Sequence, residues 1–199
     1  MPPTRTARLL TARLILRPWR DEDLEPFARL NADERATQFL LHRLTRAQSD
    51  ALVARIAAHF KREGFGLWAV EAPGVAPLVG AVGLLVPGFT APFTPCVEIG
   101  WRLAPAFWGR GFANEAGRAA LGFGFETAGL DEIVAFTVPA NTRSRAVMQR
   151  LGMTHSPADD FDHPLVPAGH SLLRHVLYRL SKEAWLASIA ETRGKKNGP

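Results

Sequence analysis

The chain has 199 residues, 47% of them hydrophobic and 22% charged, which fits one globular domain able to bury its own core. Its one cysteine, Cys96, excludes an intrachain disulfide, and no apolar run reaches the roughly 18 residues that span a bilayer. The net charge of +5 comes from arginines scattered along the chain, so no dedicated nucleic-acid patch stands out; it reads as a solvated surface, or as attraction to an anionic cofactor or a nucleoprotein such as a ribosome.

Residues 1–190 are expected to form one domain with a core over about 11–185, and residues 191–199 a frayed tail. The basic N-terminus precedes no long apolar core, so no signal peptide is read and the expected setting is the cytoplasm. Residues 9–17 read as a first strand, ended by Pro18. Asp21 is placed to cap a helix from Glu22 to Asn31, and residues 31–44 read as an irregular loop. Thr45-Arg46-Ala47-Gln48 has the form of a capping box, and Leu52, Ile56 and Phe60 follow at helical spacing until Gly64 and Gly66. The apolar runs Leu67–Glu71 and Leu78–Val86 flank the turn residues 72–77 and predict a hairpin.

A Pro-rich loop, Pro87 to Pro95, leads to a strand over Val97–Leu103. The turn Trp108-Gly109-Arg110-Gly111 then opens a helix placed over Glu115–Thr127 and ended by Gly129. Asp131–Val138 reads as a strand, Asn141 as a helix start and Gly152 as that helix's left-handed cap. Residues 155–172 are turn-rich, Leu173–Leu180 is a late strand, and Ser181–Ala190 a short helix. There are no repeats, and the order of elements is mixed α/β or α+β.

The glycine turn carries the most chemistry. A helix start leaves several N–H groups unpaired and pointing one way, and the helix dipole adds positive potential there, so the site suits a pyrophosphate. A dinucleotide fold would want Gly-x-Gly-x-x-Gly after the first strand, but this turn lies mid-chain and Asn114 stands where the third glycine belongs. A nucleotide-triphosphate loop would need Gly-Lys-Ser/Thr, which is absent.

Two blocks do match one template. The first runs Glu98-Ile99-Gly100-Trp101-Arg102-Leu103 through Trp108-Gly109-Arg110-Gly111-Phe112-Ala113-Asn114-Glu115-Ala116; the second is Asn141-Thr142-Arg143-Ser144 through Leu151-Gly152-Met153. Together they resemble the GNAT superfamily of acetyl-CoA-dependent N-acetyltransferases. The opening Thr11-Ala12-Arg13-Leu14-Ile15-Leu16-Arg17-Pro18 and the late His175–Leu180 run look like its RimJ/RimL-type branch, whose named members acetylate protein N-termini. The resemblance implies a single-domain fold with a mixed, mostly antiparallel sheet of about six to seven strands, helices around it and splayed central strands. It implies acetyl-CoA as co-substrate, no metal, and an amine acceptor that is a protein N-terminus or a small molecule. Trp101, Arg102, Leu103, Trp108, Gly109, Arg110, Gly111, Phe112, Ala113, Asn114, Asn141 and Ser144 are the expected cofactor-binding residues. Asn141 is read either as a plain helix cap or as a cap that also faces the cofactor arm.

Acetyl transfer to an amine needs a base for the ammonium proton, a polarised thioester carbonyl, and an acid for the departing thiolate. A strand N–H near Trp101–Leu103 can polarise the carbonyl. Glu98 is the candidate base, against a structural carboxylate. Many members of the superfamily use a Tyr as acid, but the one tyrosine here, Tyr178, lies in the late strand; the resemblance to the RimJ/RimL-type branch puts Ser144 in that role, against an ordinary first-turn serine. Asp159, Asp160, Asp162 and His163 read as a solvated loop rather than a metal site, and Cys96 as a small core residue. A homodimer is compatible with the sequence; membrane and direct nucleic-acid partners are not expected. A non-catalytic acyl-CoA-binding module is the competing function, and a basic RNA-associated protein a third.

Overall fold

The first strand is a hairpin. The computed structural model describes residues 7–196, and within it Thr11 turns the chain between β1 (Leu9–Leu10) and β2 (Ile15–Arg17). The Thr11 N–H donates to the Leu14 carbonyl at 3.0 Å and its hydroxyl accepts the Leu14 N–H at 2.9 Å, which breaks the continuous strand expected over residues 9–17. Beyond it come α1 (Leu24–Ala32), α2 (Glu34–Thr37), α3 (Arg46–Glu63), β3 (Leu67–Ala72), β4 (Ala76–Leu85), β5 (Glu98–Leu103), α4 (Phe112–Gly122) and β6 (Glu132–Thr137). The chain closes with α5 (Thr142–Arg150), β7 (Thr154–His155), β8 (Phe161–Asp162), β9 (Arg174–Ser181) and α6 (Lys182–Lys196).

The sheet order is β1-β2-β3-β4-β5-β6-β9-β7, with β8 on β9. Every pair is antiparallel except β5–β6, which is parallel. Six strands have three or more residues and three have two, so the longer ones match the expected number. On one face Phe27, Leu30 and Val53 of α1 and α3 cover Ala69 and Ala81. On the other, α4 packs through Phe112, Ala116 and Ala120 against Ile99 and Leu103. Trp68 is fully buried on that side, edge-on to Phe60 and Phe123 at 5.3 and 5.2 Å.

Several local expectations change for identifiable reasons. Asp21 makes no cap among the described residues: it opens a 3-10 turn over Asp21–Asp23, the buried Asp23 carboxylate accepts the Arg20 N–H at 2.8 Å and two bonds from Arg17 at 2.7 and 2.9 Å, and α1 starts only at Leu24. The segment 31–44 is not wholly irregular, since Asp33 caps α2 by accepting from the Arg35 and Ala36 N–H groups at 2.8 and 3.1 Å. The capping box at Thr45 and Gln48 forms as the sequence predicts. The helix expected from Glu115 begins three residues earlier, at Phe112, and gives way at Phe123 to a π-helical turn through Thr127. The last helix runs past Ala190 to Lys196, where Gly194 is the one weak breaker; the expected tail beyond it, residues 197–199, lies outside the described residues. No helix among the described residues is long and apolar enough to cross a membrane.

Candidate active site

β5 and β6 part at a single rung. The Val134 N–H donates to the Val97 carbonyl at 2.9 Å, and Glu98 and Val134 are their one paired position. Beyond it β5 stays on β4 through the Gly80–Leu103 pair, while β6 stays on β9 through Thr137–Val176. Each inner strand is held by its outer neighbour, so the middle opens. The strand period of two sets which backbone groups line the gap: the Val97 carbonyl faces β6, so those of Trp101 and Leu103 do too. The Leu103 carbonyl accepts from the Trp108 indole at 2.8 Å. The Trp101 N–H and C=O and the Leu103 N–H form an open edge of the kind that an extended amide chain pairs with.

The glycine turn lies beside the same gap. Gly109 and Gly111 have φ of 75° and 79°, the left-handed region that glycine adopts without strain. Gly111 is the N-cap of α4 and supplies no side chain to cap it, whereas Asp33, Thr45 and Asn141 cap α2, α3 and α5. Among the described residues the N–H groups from Gly109 to Asn114 have no protein acceptor; the first bond of the helix is Glu115 N–H to the Gly111 carbonyl, at 3.0 Å. The Oδ1 of Asn114 is buried and equally without a partner. A Cβ on Gly109 would meet nothing within 4 Å, so the cradle is open on that side. These features fit a diphosphate.

Guanidinium groups gather around the turn. Arg13 donates through Nη1 to the Arg110 carbonyl at 3.0 Å, and its Cζ sits 5.0 Å from the centre of the Phe112 ring. Arg110 lies over Phe107 at 5.6 Å, and Arg143, at the start of α5, over Trp108 at 4.6 Å. Glu115 would set a negative charge in the first turn of α4, but Arg13 and Thr11 engage it at 2.6 to 2.8 Å. Burial opposes its ionisation, yet the bonds from Thr11 and Arg13 prevail and hold its carboxyl below the usual range. Arg13, Thr11 and Arg143 escaped the sequence reading of the site. They lie in runs that carry the resemblance, but only folding brings residues 11–13 to residue 110.

Asn141 caps α5 by accepting the Ser144 N–H at 3.2 Å, and its amide donates to Thr137 at 3.0 Å. Both ends of its side chain therefore serve the junction of β6 and α5. Ser144 is half-buried, and among the described residues its hydroxyl has no partner. Tyr178 is buried, stacked on His155 at 5.2 Å with its hydroxyl 3.4 Å from Arg145, an architectural setting.

Glu98 stands at the fork. It is half-buried, burial pushes its carboxyl up to about 8, and no hydrogen bond to it forms among the described residues. Gly100 and Arg102 share its face of β5, opposite α4. A Cβ on Gly100 would meet only the Glu98 Oε1, at 4.0 Å, so that face is open. Across the fork, Phe136 of β6 joins Phe89, Phe93, Phe161, His163 and His175 in a continuous set of ring contacts. Burial lowers the affinity of both imidazoles for a proton, and at His163 the neighbouring His175 adds to it. Asp159 and Asp162 pair with arginines and Asp160 with His155, and no metal-binding group of three or more such residues occurs among the described residues. Cys96 is half-buried, and burial, then Glu98, push its thiol up to about 11, away from the thiolate form.

With this geometry in place, the likenesses to known proteins are direct. A profile of the Acetyltransferase (GNAT) domain matches residues 13–154. The chain belongs to the GNAT acetyltransferase family. The match takes in Arg13, the parted strands, the turn and α5; the β8–β9 wall lies beyond it. The FsC-acetyl coenzyme A-N(2)-transacetylase of Aspergillus fumigatus is 38% identical over 95 residues, which is 47% of this chain and 39% of that protein. The uncharacterized N-acetyltransferase YnaD of Bacillus subtilis is 33% identical over 44% of this chain and 50% of its own length, so the chain spans half or less of both relatives. A GNAT-family acetyltransferase structure from Bacillus anthracis superimposes with TM-score 0.73 at 24% identity, over 89% of this chain and 99% of that one. Mycobacterium smegmatis RimJ, solved with CoA-disulfide, gives TM-score 0.73 at 21% identity over 97% and 98%. At these identities the two structures speak for the GNAT fold.

Proposed function

We propose that this GNAT domain transfers the acetyl group of acetyl-CoA to a primary amine, by direct attack with both substrates bound. The observation that carries the reading is the coincidence of the uncapped α4 N-terminus with the Glu98–Val134 fork. An anion-binding turn and an open strand edge side by side suit a molecule that has a diphosphate at one end and a chain of amides at the other. The solved RimJ structure, which contains CoA-disulfide, supports the choice of carrier and the RimJ/RimL-type branch.

In this reading the amides from Gly109 to Asn114 hold the diphosphate, helped by Arg110, Arg13 and Arg143. The Trp101 and Leu103 edge orients the amide arm and places an N–H toward the thioester carbonyl. Acetyl-CoA supplies an activated acyl group. Glu98, with its carboxyl near 8, takes the proton from the acceptor ammonium, directly or through water, and the Ser144 hydroxyl donates to the leaving sulfur. The acceptor amine is a protein N-terminus or a small molecule, and it lies on the Glu98 face under the segment 33–44 and the aromatic wall.

Two measurements test this. Titration calorimetry with acetyl-CoA is expected to show binding; none at several hundred micromolar removes the basis of the reading. Thiol release is expected with at least one member of a panel of peptides, polyamines, amino acids and aminoglycosides. Binding without turnover on any of them would instead favour a module that senses acyl-CoA.

A further inference from the structure

Arg102 is a cation without a counter-ion. Among the described residues no carboxylate lies within 4.0 Å of its guanidinium, and its one hydrogen bond runs to the Asn31 Oδ1. Arg13, Arg17, Arg46 and Arg179, by contrast, each sit on a carboxylate. An arginine carries five N–H donors, so most of this fork is uncommitted. Water does not fully take over: Arg102 is half-buried, and burial pulls its pKa down to about 10, which leaves it charged at neutral pH. A desolvated charge held only by a neutral amide weakens a fold, and a bound anion would remove that penalty.

The amide that holds it is rigid. Asn31 is fully buried at the end of α1, its Nδ2 donates to the Ser49 hydroxyl at 2.8 Å, and its backbone carbonyl accepts the Leu44 N–H at 3.1 Å. Arg102 is thus fixed at the base of the segment 33–44. Its backbone pairs with Ala81 of β4, and its side chain leaves the sheet on the face away from α4 and the glycine turn. This is the face of Glu98 and Gly100, with open space over Gly100 between them. One wall of the acceptor cleft therefore has the Glu98 carboxyl at one end and a guanidinium at the other, and no ion pair between them. That suits a molecule bearing an oxyanion for Arg102 and an amine whose proton Glu98 can take.

We propose that the acceptor is an amine that also carries an anionic group, a carboxylate or a phosphate, received by Arg102 while its amine faces Glu98. Arg102 is then a specificity residue for the acceptor rather than part of the cofactor site. The proposal rests on the acetyl-transfer reading above, but its test is separable from that reading.

Matched acceptors decide it: phenylalanine against phenylalaninamide, and phosphoethanolamine against ethanolamine, assayed by thiol release at saturating acetyl-CoA. The wild type is expected to favour the anionic member of at least one pair by about 10- to 100-fold in kcat/KM, the range for a charge-assisted bond. The pair with the larger ratio identifies carboxylate or phosphate. Arg102→Gln is expected to erase the preference and Arg102→Lys to restore part of it, with the acetyl-CoA Kd within about twofold of wild type. No preference in either wild-type pair overturns the proposal without any variant. So does a preference that survives in Arg102→Gln, or a variant whose main defect is in acetyl-CoA affinity. If no amine is turned over, calorimetry of the same four probes with CoA present still tests it: the anionic member must bind the wild type more tightly than its neutral match, and equal binding overturns it.

Discussion

Arg13 and Glu115 stand 102 positions apart in the chain, and their side chains meet at 2.6 Å. The contact does two things for the glycine turn. It neutralises the carboxylate in the first turn of α4 through Nε and Nη2, and it places the third guanidinium nitrogen of Arg13, Nη1, on the Arg110 carbonyl. Arg13 is half-exposed, so the ion pair itself adds little to stability. Arg13→Ala is therefore expected to leave Tm within a few degrees and to weaken acetyl-CoA binding about 10-fold, mainly because Glu115 is left uncompensated beside the diphosphate. The double variant Arg13→Ala/Glu115→Ala should recover part of that loss. Calorimetry on wild type, both single variants and the double variant measures the coupling, and additive losses would reject it.

Gly111→Glu sets bulk and negative charge in the cradle, at a residue whose φ of 79° disfavours any side chain. Acetyl-CoA affinity should fall by more than about 100-fold, beyond what one lost charge-assisted bond explains. Gly111→Ala separates strain from repulsion: about 1–2 kcal/mol of left-handed strain is expected in thermal unfolding, with a smaller loss of affinity. Unchanged binding in Gly111→Glu would place the carrier elsewhere.

Glu98 links rate and stability to pH. If it is the base, kcat/KM should rise about tenfold per pH unit up to about 8 and then level off. Glu98→Gln should lower the rate by about 100-fold or more and flatten that limb. The stability effect has the opposite sign. A carboxyl raised from 4.5 to about 8 binds its proton more tightly folded than unfolded, so its contribution is full below 4.5 and is lost as pH climbs through 8. Glu98→Gln should therefore gain in Tm relative to wild type as pH goes from 5 to 9. A Tm difference that does not change with pH would show that burial does not hold the carboxyl neutral.

Asn141 and Ser144 should part company. Asn141→Ala removes the α5 cap and the tie to Thr137, at about 1 kcal/mol, or about 2–4 °C of Tm for a chain of this size. Ser144→Ala removes a hydroxyl that bonds to nothing among the described residues, so Tm should hold while kcat falls about 10-fold with KM for acetyl-CoA unchanged. Rates for Ser144→Ala within twofold of wild type would remove the serine from the chemistry.

The contrast between the α3 capping box and the Thr11 hairpin shows what was legible. Thr45 and Gln48 lie three residues apart, and their reciprocal bonds need only the local backbone, so the sequence predicts them outright. Thr11 sits in a run with the same apolar character as a strand, and it becomes a turn because its hydroxyl bonds Leu14 and Glu115 at once. The glycine turn was readable for the reason α3 was: two glycines at a helix start leave a row of N–H groups unpaired by local geometry alone.

The chain itself thus determined most of the local units: the longer strands and helices, where the glycine turn falls, and that Glu98 lies on the strand before it. Local geometry needs only neighbours in the chain. Three things waited for tertiary structure: that β5 and β6 part after one shared rung, that Arg13 braces the turn from the other end of the chain, and that Arg102 leaves the sheet toward Asn31. Each of these is set by a competition among partners far apart in sequence — β4 and β9 pulling the inner strands apart, Glu115 claiming Arg13, no carboxylate among the described residues reaching Arg102 — and such competitions are settled only when the whole chain has packed.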